Sequence, residues 1–180
     1  ACFSFISSFV YVFNDFLDIK NDRNHPTKKT RPIASGEINI FNLFSLALTI
    51  TLISFLLAYL FLGNIFCYIL LLYIILNLFY STLIKSIYFL DVLTLSSFYT
   101  LRLISGGIIN DISLSPWLIS FSVFFFLFLA LIKRIGEIKN FVKDDKVMYG
   151  RSYDEKVLDI TKYIIYFSSF ISLLLLIMYF

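Results

Sequence analysis

The chain has 180 residues, 59% of them hydrophobic and 19% aromatic, with a mean hydropathy of +0.87 and only 15 basic and 12 acidic side chains. Soluble domains carry about a quarter charged residues, so this composition excludes one and marks a membrane protein whose surroundings are a lipid bilayer. The net charge of +3 is small and its contributors are clustered, so no nucleic-acid partner is expected.

Six apolar segments stand out, 1–17, 40–62, 65–84, 91–109, 117–132 and 161–180, most of them near the ~20 residues a helix needs to cross a bilayer. None alternates with period two, which predicts an all-α, multi-pass transmembrane helical bundle rather than a barrel, forming one domain over 1–180. The chain starts at Ala1 and stops at Phe180 inside apolar runs, without an initiator Met, and reads as a piece of a longer protein. Cys2 and Cys67 sit in apolar runs outside any CxxC or Cys/His pattern and read as small core hydrophobes.

The first segment ends in Asn14-Asp15-Phe16-Leu17-Asp18-Ile19-Lys20-Asn21-Asp22. On a helix turning about 100° per residue, Asn14, Asp18, Asp22 and Asp15 fall at roughly 0°, 40°, 80° and 100°, one narrow face rising about 12 Å. Carboxylates this close repel one another unless a cation lies between them. Oxygen ligands at the end of an apolar helix suit Mg²⁺, which shares its remaining positions with water and substrate phosphates. Next comes Arg23-Asn24-His25-Pro26-Thr27-Lys28-Lys29-Thr30-Arg31-Pro32-Ile33-Ala34-Ser35-Gly36, whose bases, prolines and glycine suit a loop folded over a phosphate. His25, the only histidine, reads as a loop hydrogen-bonding residue and not as a ligand.

Gly63-Asn64 predicts a very short turn. The third segment closes with Asn77, Tyr80, Ser81 and Lys85, a polar stripe within roughly a 140° arc if the helix stays regular. Lys85 reads either as a phosphate ligand or as a lysine snorkelling to the interface. Asp91 opens the fourth segment, and Arg102, eleven residues later, shares its face. Arg102 either binds an anionic headgroup or phosphate, or caps carbonyls and ties helices together. Ser105-Gly106-Gly107 would allow close packing or a local break. Ser115-Pro116 starts the fifth helix, and Lys133-Arg134-Ile135-Gly136-Glu137 closes it. A connection of nearly thirty residues follows, much of which reads either as an amphipathic helix over the mouth of the active site or as a plain solvated loop.

The 18–39 connection holds Lys20, Arg23, Lys28, Lys29 and Arg31, the next on that side Lys85, and the 133–162 connection eight more bases, whereas the turns around Gly63 and Asp111 hold none. The positive-inside rule then places the acidic helix end on the cytoplasmic side of the cell (inner) membrane.

The first motif resembles the signature NDxxDxxxD of the UbiA superfamily of membrane prenyltransferases, met at Asn14, Asp15, Asp18 and Asp22, with Lys28, Arg31-Pro32 and Gly36 similar to its basic loop. The second aspartate cluster of the aromatic prenyltransferases is missing. In its place Asn77-Leu-x-Tyr80-Ser81-x-x-Ile84-Lys85, Leu90-Asp91-Val92 and Lys133-Arg134-x-x-Glu137 resemble the branch containing the decaprenyl-phosphate phosphoribosyltransferases.

The resemblance implies nine helices in all, of which these six would be the second to the seventh. It implies Mg²⁺ held by Asp15, Asp18 and Asp22, with Asn14 beside them, against a diphosphate. It further implies that Lys28, Arg31, Tyr80 and Lys85 bind phosphate oxygens, that Asp91 orients metal or ribose, and that Arg102, Lys133 and Arg134 contact substrate. The substrates implied are phosphoribosyl pyrophosphate, a soluble phosphate-bearing donor, and a polyprenyl phosphate lipid, with self-association into a homo-oligomer left open. An aromatic prenyltransferase is the alternative within the family. A cation-coupled transporter is the alternative outside it, disfavoured because the carboxylates lie at a helix end and not at the bilayer midplane.

Overall fold

The computed structural model describes residues 1–25, 27–143 and 156–179, and every regular element among them is helical. The chain divides into two compact units, Ala1–Leu83 and Ile84–Phe180, taken here in turn.

In the first unit α1 spans Cys2–Leu17, α2 Ile19–Asn24, α3 Pro32–Ser35, α4 Ile40–Phe61 and α5 Asn64–Thr82. Helices α4 and α5 are long and apolar enough to cross a bilayer, and α1 is a shorter apolar helix. Burial inverts the pattern of a soluble helix. The residues of α4 that face inward are Ala47, Thr51, Ser54 and Ala58, while Leu46, Leu48, Leu52, Leu56 and Tyr59 point out. Their spacing of four, three and four puts the small residues on one stripe, so the backbone of α1 approaches closely while lipid solvates the large side chains. Helix α1 also packs on α5, where Phe3 meets Phe66 and Tyr73 edge-on and Ser7 Oγ lies 3.2 Å from the Tyr73 hydroxyl. Asn77 Nδ2 donates to the Tyr73 carbonyl at 2.7 Å, so this buried amide is held on its own helix. The turn expected at Gly63-Asn64 is present, with Gly63 at φ +85°, a conformation that side-chain-bearing residues rarely adopt.

The second unit holds α6 (Tyr88–Ile109), α7 (Pro116–Lys143) and α8 (Lys156–Tyr179), each containing a stretch able to cross a bilayer. Tyr88, Val92, Ala130, Leu131 and Ile138 form its core, with Leu95, Leu127, Ile164 and Ile165 packed against them. Helix α6 runs unbroken through the Ser105-Gly106-Gly107 run. A Cβ on Gly107 would lie 2.7 Å from Leu114 Cγ, so this glycine lets the α6–α7 hairpin close tightly. Ser115 Oγ accepts from the Leu118 amide at 3.2 Å and Pro116 takes the first helical position, as the sequence suggested. With five membrane-crossing helices among the described residues, the chain is an integral membrane protein.

Three expectations about element ends are corrected. First, the acidic stretch is not one straight helix, because the backbone breaks at Asp18, with φ −90° and ψ 3°, between α1 and α2. Second, α5 stops at Thr82, and Lys85 falls in a separate 3-10 turn, Ile84–Ser86, so the regular polar stripe ending at Lys85 does not form. The Thr82 hydroxyl donates to the Leu78 carbonyl at 2.9 Å, a local bond of the kind that weakens a helix end. Third, α7 does not close at Lys133–Glu137 but continues to Lys143. Leu131 and Ile138, two turns apart, keep that face in the core, and Arg134 between them is neutralised there. Of the charged connection expected to carry an amphipathic helix over the site mouth, the part up to Lys143 continues α7 and the part from Lys156 belongs to α8, while 144–155 lie outside the described residues.

Candidate functional site

The acidic run keeps its common face in spite of the break. The Asp18 amide donates to the Asn14 carbonyl at 3.0 Å and the Asp22 amide to the Asp18 carbonyl at 2.8 Å, so helical spacing carries across the junction. Asp15 and Asp22, seven residues apart, therefore stand about two turns apart on one side. Arg31 joins them. Its Nη1 donates to Asp15 Oδ1 at 2.7 Å and to Asp22 Oδ2 at 2.9 Å. Asp22 is buried, whereas the Asp15 and Arg31 side chains retain 30% and 38% of their exposure, so this cluster opens to water. Asp15 feels Asp22 and Asp18 as repelling charges and Arg31 and Lys28 as attracting ones.

The segment that brings Arg31 here is folded by local chemistry. His25 Nδ1 accepts from the amides of Thr27 and Lys28 at 3.2 and 3.3 Å, closing the turn after α2, which is the loop role expected of that residue. A 3-10 turn over Lys28–Thr30 follows, and the Arg31 amide donates back to the Lys28 carbonyl at 3.0 Å. Pro32 then opens α3, and Gly36 at φ +81° ends it. Arg23 Nε donates to the Ala34 carbonyl at 3.0 Å, with Ile33 and Ala34 buried, so α2 and α3 are tied together independently of Arg31. Arg23 was not among the expected functional residues, and basic loop residues look alike in sequence.

No three carboxylates or imidazoles converge as a ready-made metal cage among the described residues. The donors nevertheless suit Mg²⁺, which is bound through one or two carboxylates and completes its shell with phosphates and water. Asp15 and Asp22 are close enough to share a single nitrogen. Asn14 Oδ1 beside them is a buried oxygen with no hydrogen-bond partner among the described residues.

A second charged cluster lies in the second unit. Arg134 of α7 donates through Nη2 to Asp91 Oδ1 at 2.7 Å and through Nε to Asp91 Oδ2, and its Nη1 donates to Glu137. The side chains of Arg134 and Asp91 are 2% and 0% exposed. Tyr88, three residues before Asp91, shares a 2.6 Å hydrogen bond with Thr161 Oγ1 of α8, so the same end of α6 is fastened to both neighbours. Sequence spacing had set Asp91 on a face with Arg102. The structure gives Asp91 to Arg134, and the Arg102 guanidinium lies 5.7 Å from the centre of the Tyr99 ring. A buried carboxylate at an apolar helix end demanded a cation, and that demand was the available signal. Which cation answered it was not in the spacing. Of the remaining candidates, Tyr80 is half-buried near the end of α5, Lys28 and Lys85 are half-buried in 3-10 turns, and Lys133 is exposed.

The chain is 39% identical over 152 residues to "Uncharacterized protein y4nM" of Sinorhizobium fredii, covering 84% of this chain and 29% of that protein. It is 34% identical over 137 residues to the decaprenyl-phosphate phosphoribosyltransferase of Mycolicibacterium smegmatis, covering 76% of this chain and 43% of the relative. Identity to nodulation protein NoeC of Azorhizobium caulinodans is 31% over 153 residues, or 84% and 50% of the two. The chain thus spans half or less of the length of these relatives. Residues 1–180 match the UbiA prenyltransferase family from end to end, and with the aspartate run on its helix end, the basic loop folded onto it and the apolar helices that carry both, the chain belongs to that family.

Proposed function

We propose that the protein is a Mg²⁺-dependent transferase that moves a 5-phosphoribosyl group from phosphoribosyl pyrophosphate to a polyprenyl phosphate, working at the cytoplasmic face of the cell membrane. The observation that carries this is the Asp15–Arg31–Asp22 cluster, which sets carboxylates for a metal beside cations for phosphate on one water-accessible helix end. Asp15 and Asp22, with Asp18 and Asn14 at their side, would hold the metal. When bound, Mg²⁺ would neutralise the charge that builds on the departing diphosphate. Lys28 and Arg31 hold phosphate oxygens of the donor, and Tyr80 and Lys85 are assigned the same role by their motif alone.

In the reaction the bond from ribose C1 to the diphosphate oxygen breaks, pyrophosphate leaves with the electron pair, and a lipid phosphate oxygen bonds to C1. That oxygen is already anionic at neutral pH, so no strong base is required. The donor assignment is supported by the Tyr80 and Lys85 motif and by relatives named decaprenyl-phosphate phosphoribosyltransferase. A donor with a second phosphate, at C5, favours fixed cations over a second metal.

The test uses membranes containing the complete protein and Mg²⁺. One mixture receives labelled phosphoribosyl pyrophosphate and polyprenyl phosphate, the other labelled prenyl diphosphate and 4-hydroxybenzoate. Labelled lipid is expected from the first. Label only in the second would make the protein an aromatic prenyltransferase. Cysteine labelling in sealed cells tests the sidedness, with position 30 expected to be protected and position 112 reached from outside.

A further inference from the structure

A guanidinium facing a phosphate uses its two-pronged fork. Arg31 does not present that fork to the carboxylates. One nitrogen, Nη1, makes both contacts, to Asp15 and to Asp22, as a point charge placed between two anions would. These are the oxygens on which the proposed metal would sit, and a divalent ion there would meet the Arg31 charge within a few ångströms. The two cations compete for one position.

Resting on the metal-site reading above, we infer that Arg31 is an exchangeable counter-ion. It holds the aspartate pair together when no metal is bound, and it passes to the diphosphate when metal and diphosphate arrive together. Three observations support the exchange. Arg31 keeps 38% of its side-chain exposure, against 2% for Arg134, and an ion pair open to water contributes little stability, so releasing it is easy. The segment around Arg31 is secured by the Arg23 bond to Ala34, the His25 turn and buried Ile33, so the side chain can turn away without unfolding its loop. Asp22, by contrast, is buried and fixed, so the cation is the member of the pair that moves. The consequence is coupled binding: metal alone binds weakly because it must displace Arg31 into water, whereas metal with diphosphate binds tightly because the displaced guanidinium finds two phosphate oxygens.

The test measures Mn²⁺ binding by electron paramagnetic resonance to the complete protein in detergent micelles, with and without inorganic pyrophosphate. Without pyrophosphate, Arg31→Gln should bind Mn²⁺ about threefold more tightly than wild type, the size expected when the metal no longer has to displace a water-exposed ion pair. With pyrophosphate present the order should invert. In the wild type alone, Mn²⁺ should raise phenylglyoxal labelling of Arg31, read by peptide mass spectrometry, and pyrophosphate should then protect it. Equal or weaker Mn²⁺ binding by Arg31→Gln without pyrophosphate, or Arg31 labelling that ignores bound Mn²⁺, overturns the inference and leaves the metal site standing. Failure of both proteins to bind Mn²⁺ under either condition overturns the metal site as well.

Discussion

Two clusters in this chain have the same composition, one arginine shared by two carboxylates, and opposite surroundings. Asp15, Arg31 and Asp22 meet through one nitrogen at a helix end open to water, whereas Arg134 grips Asp91 with two nitrogens in the core of the second unit. Solvent decides what each can do. Water screens the first cluster and solvates whichever partner is released, so its charges can be reassigned to a ligand. In the second, Glu137 keeps 28% of its exposure, but Arg134 and Asp91 are 2% and 0% exposed, so no solvent takes up either of them on release and that pair holds helices and cannot trade partners. Asp91 and Arg134, both read from sequence as substrate ligands, are thus engaged with one another in the core.

The largest effect should come from breaking the buried pair. Arg134→Met strands the Asp91 carboxylate and should cost about 3–5 kcal/mol of stability, seen as a lower unfolding temperature in detergent. Removing Asp91, Arg134 and Glu137 together in favour of apolar residues of similar size should recover most of that loss. If the single variant melts like wild type, the contrast between the clusters fails.

Next in size is Asp18→Asn, which removes one negative charge beside the open cluster. Turnover by the complete protein should fall at least about a hundredfold, in the range seen when one group stabilising transition-state charge is removed, while the melting temperature stays near wild type. Stability that fell with activity would instead make Asp18 a structural residue. Tyr88→Phe deletes one buried hydrogen bond, that to Thr161, and should destabilise by about 0.5–1.5 kcal/mol. Smallest of all, Arg31→Gln should change stability by less than about 1 kcal/mol, an effect that shrinks further as salt is raised. A salt-insensitive loss of several kcal/mol there would make Arg31 the equal of Arg134.

The sequence by itself determined the elements and the ends that carry charge. Long apolar runs must satisfy their backbone internally in a bilayer, which makes them helices, and Gly63 and Pro116 mark two of the turns between them. Spacing along one helix likewise put Asp15 and Asp22 on one face, because i to i+7 is a local relation that survived even the break at Asp18. The tertiary structure decided which charge answers which. Arg31 reaches back 16 residues to Asp15, and Arg134 reaches 43 residues to Asp91, while Arg102, on the same helix as Asp91, lies over Tyr99 instead. Helical periodicity says which way a side chain points. The burial that turns one arginine into a fixed clamp and leaves another beside water comes from neighbouring helices, and no local spacing encodes them.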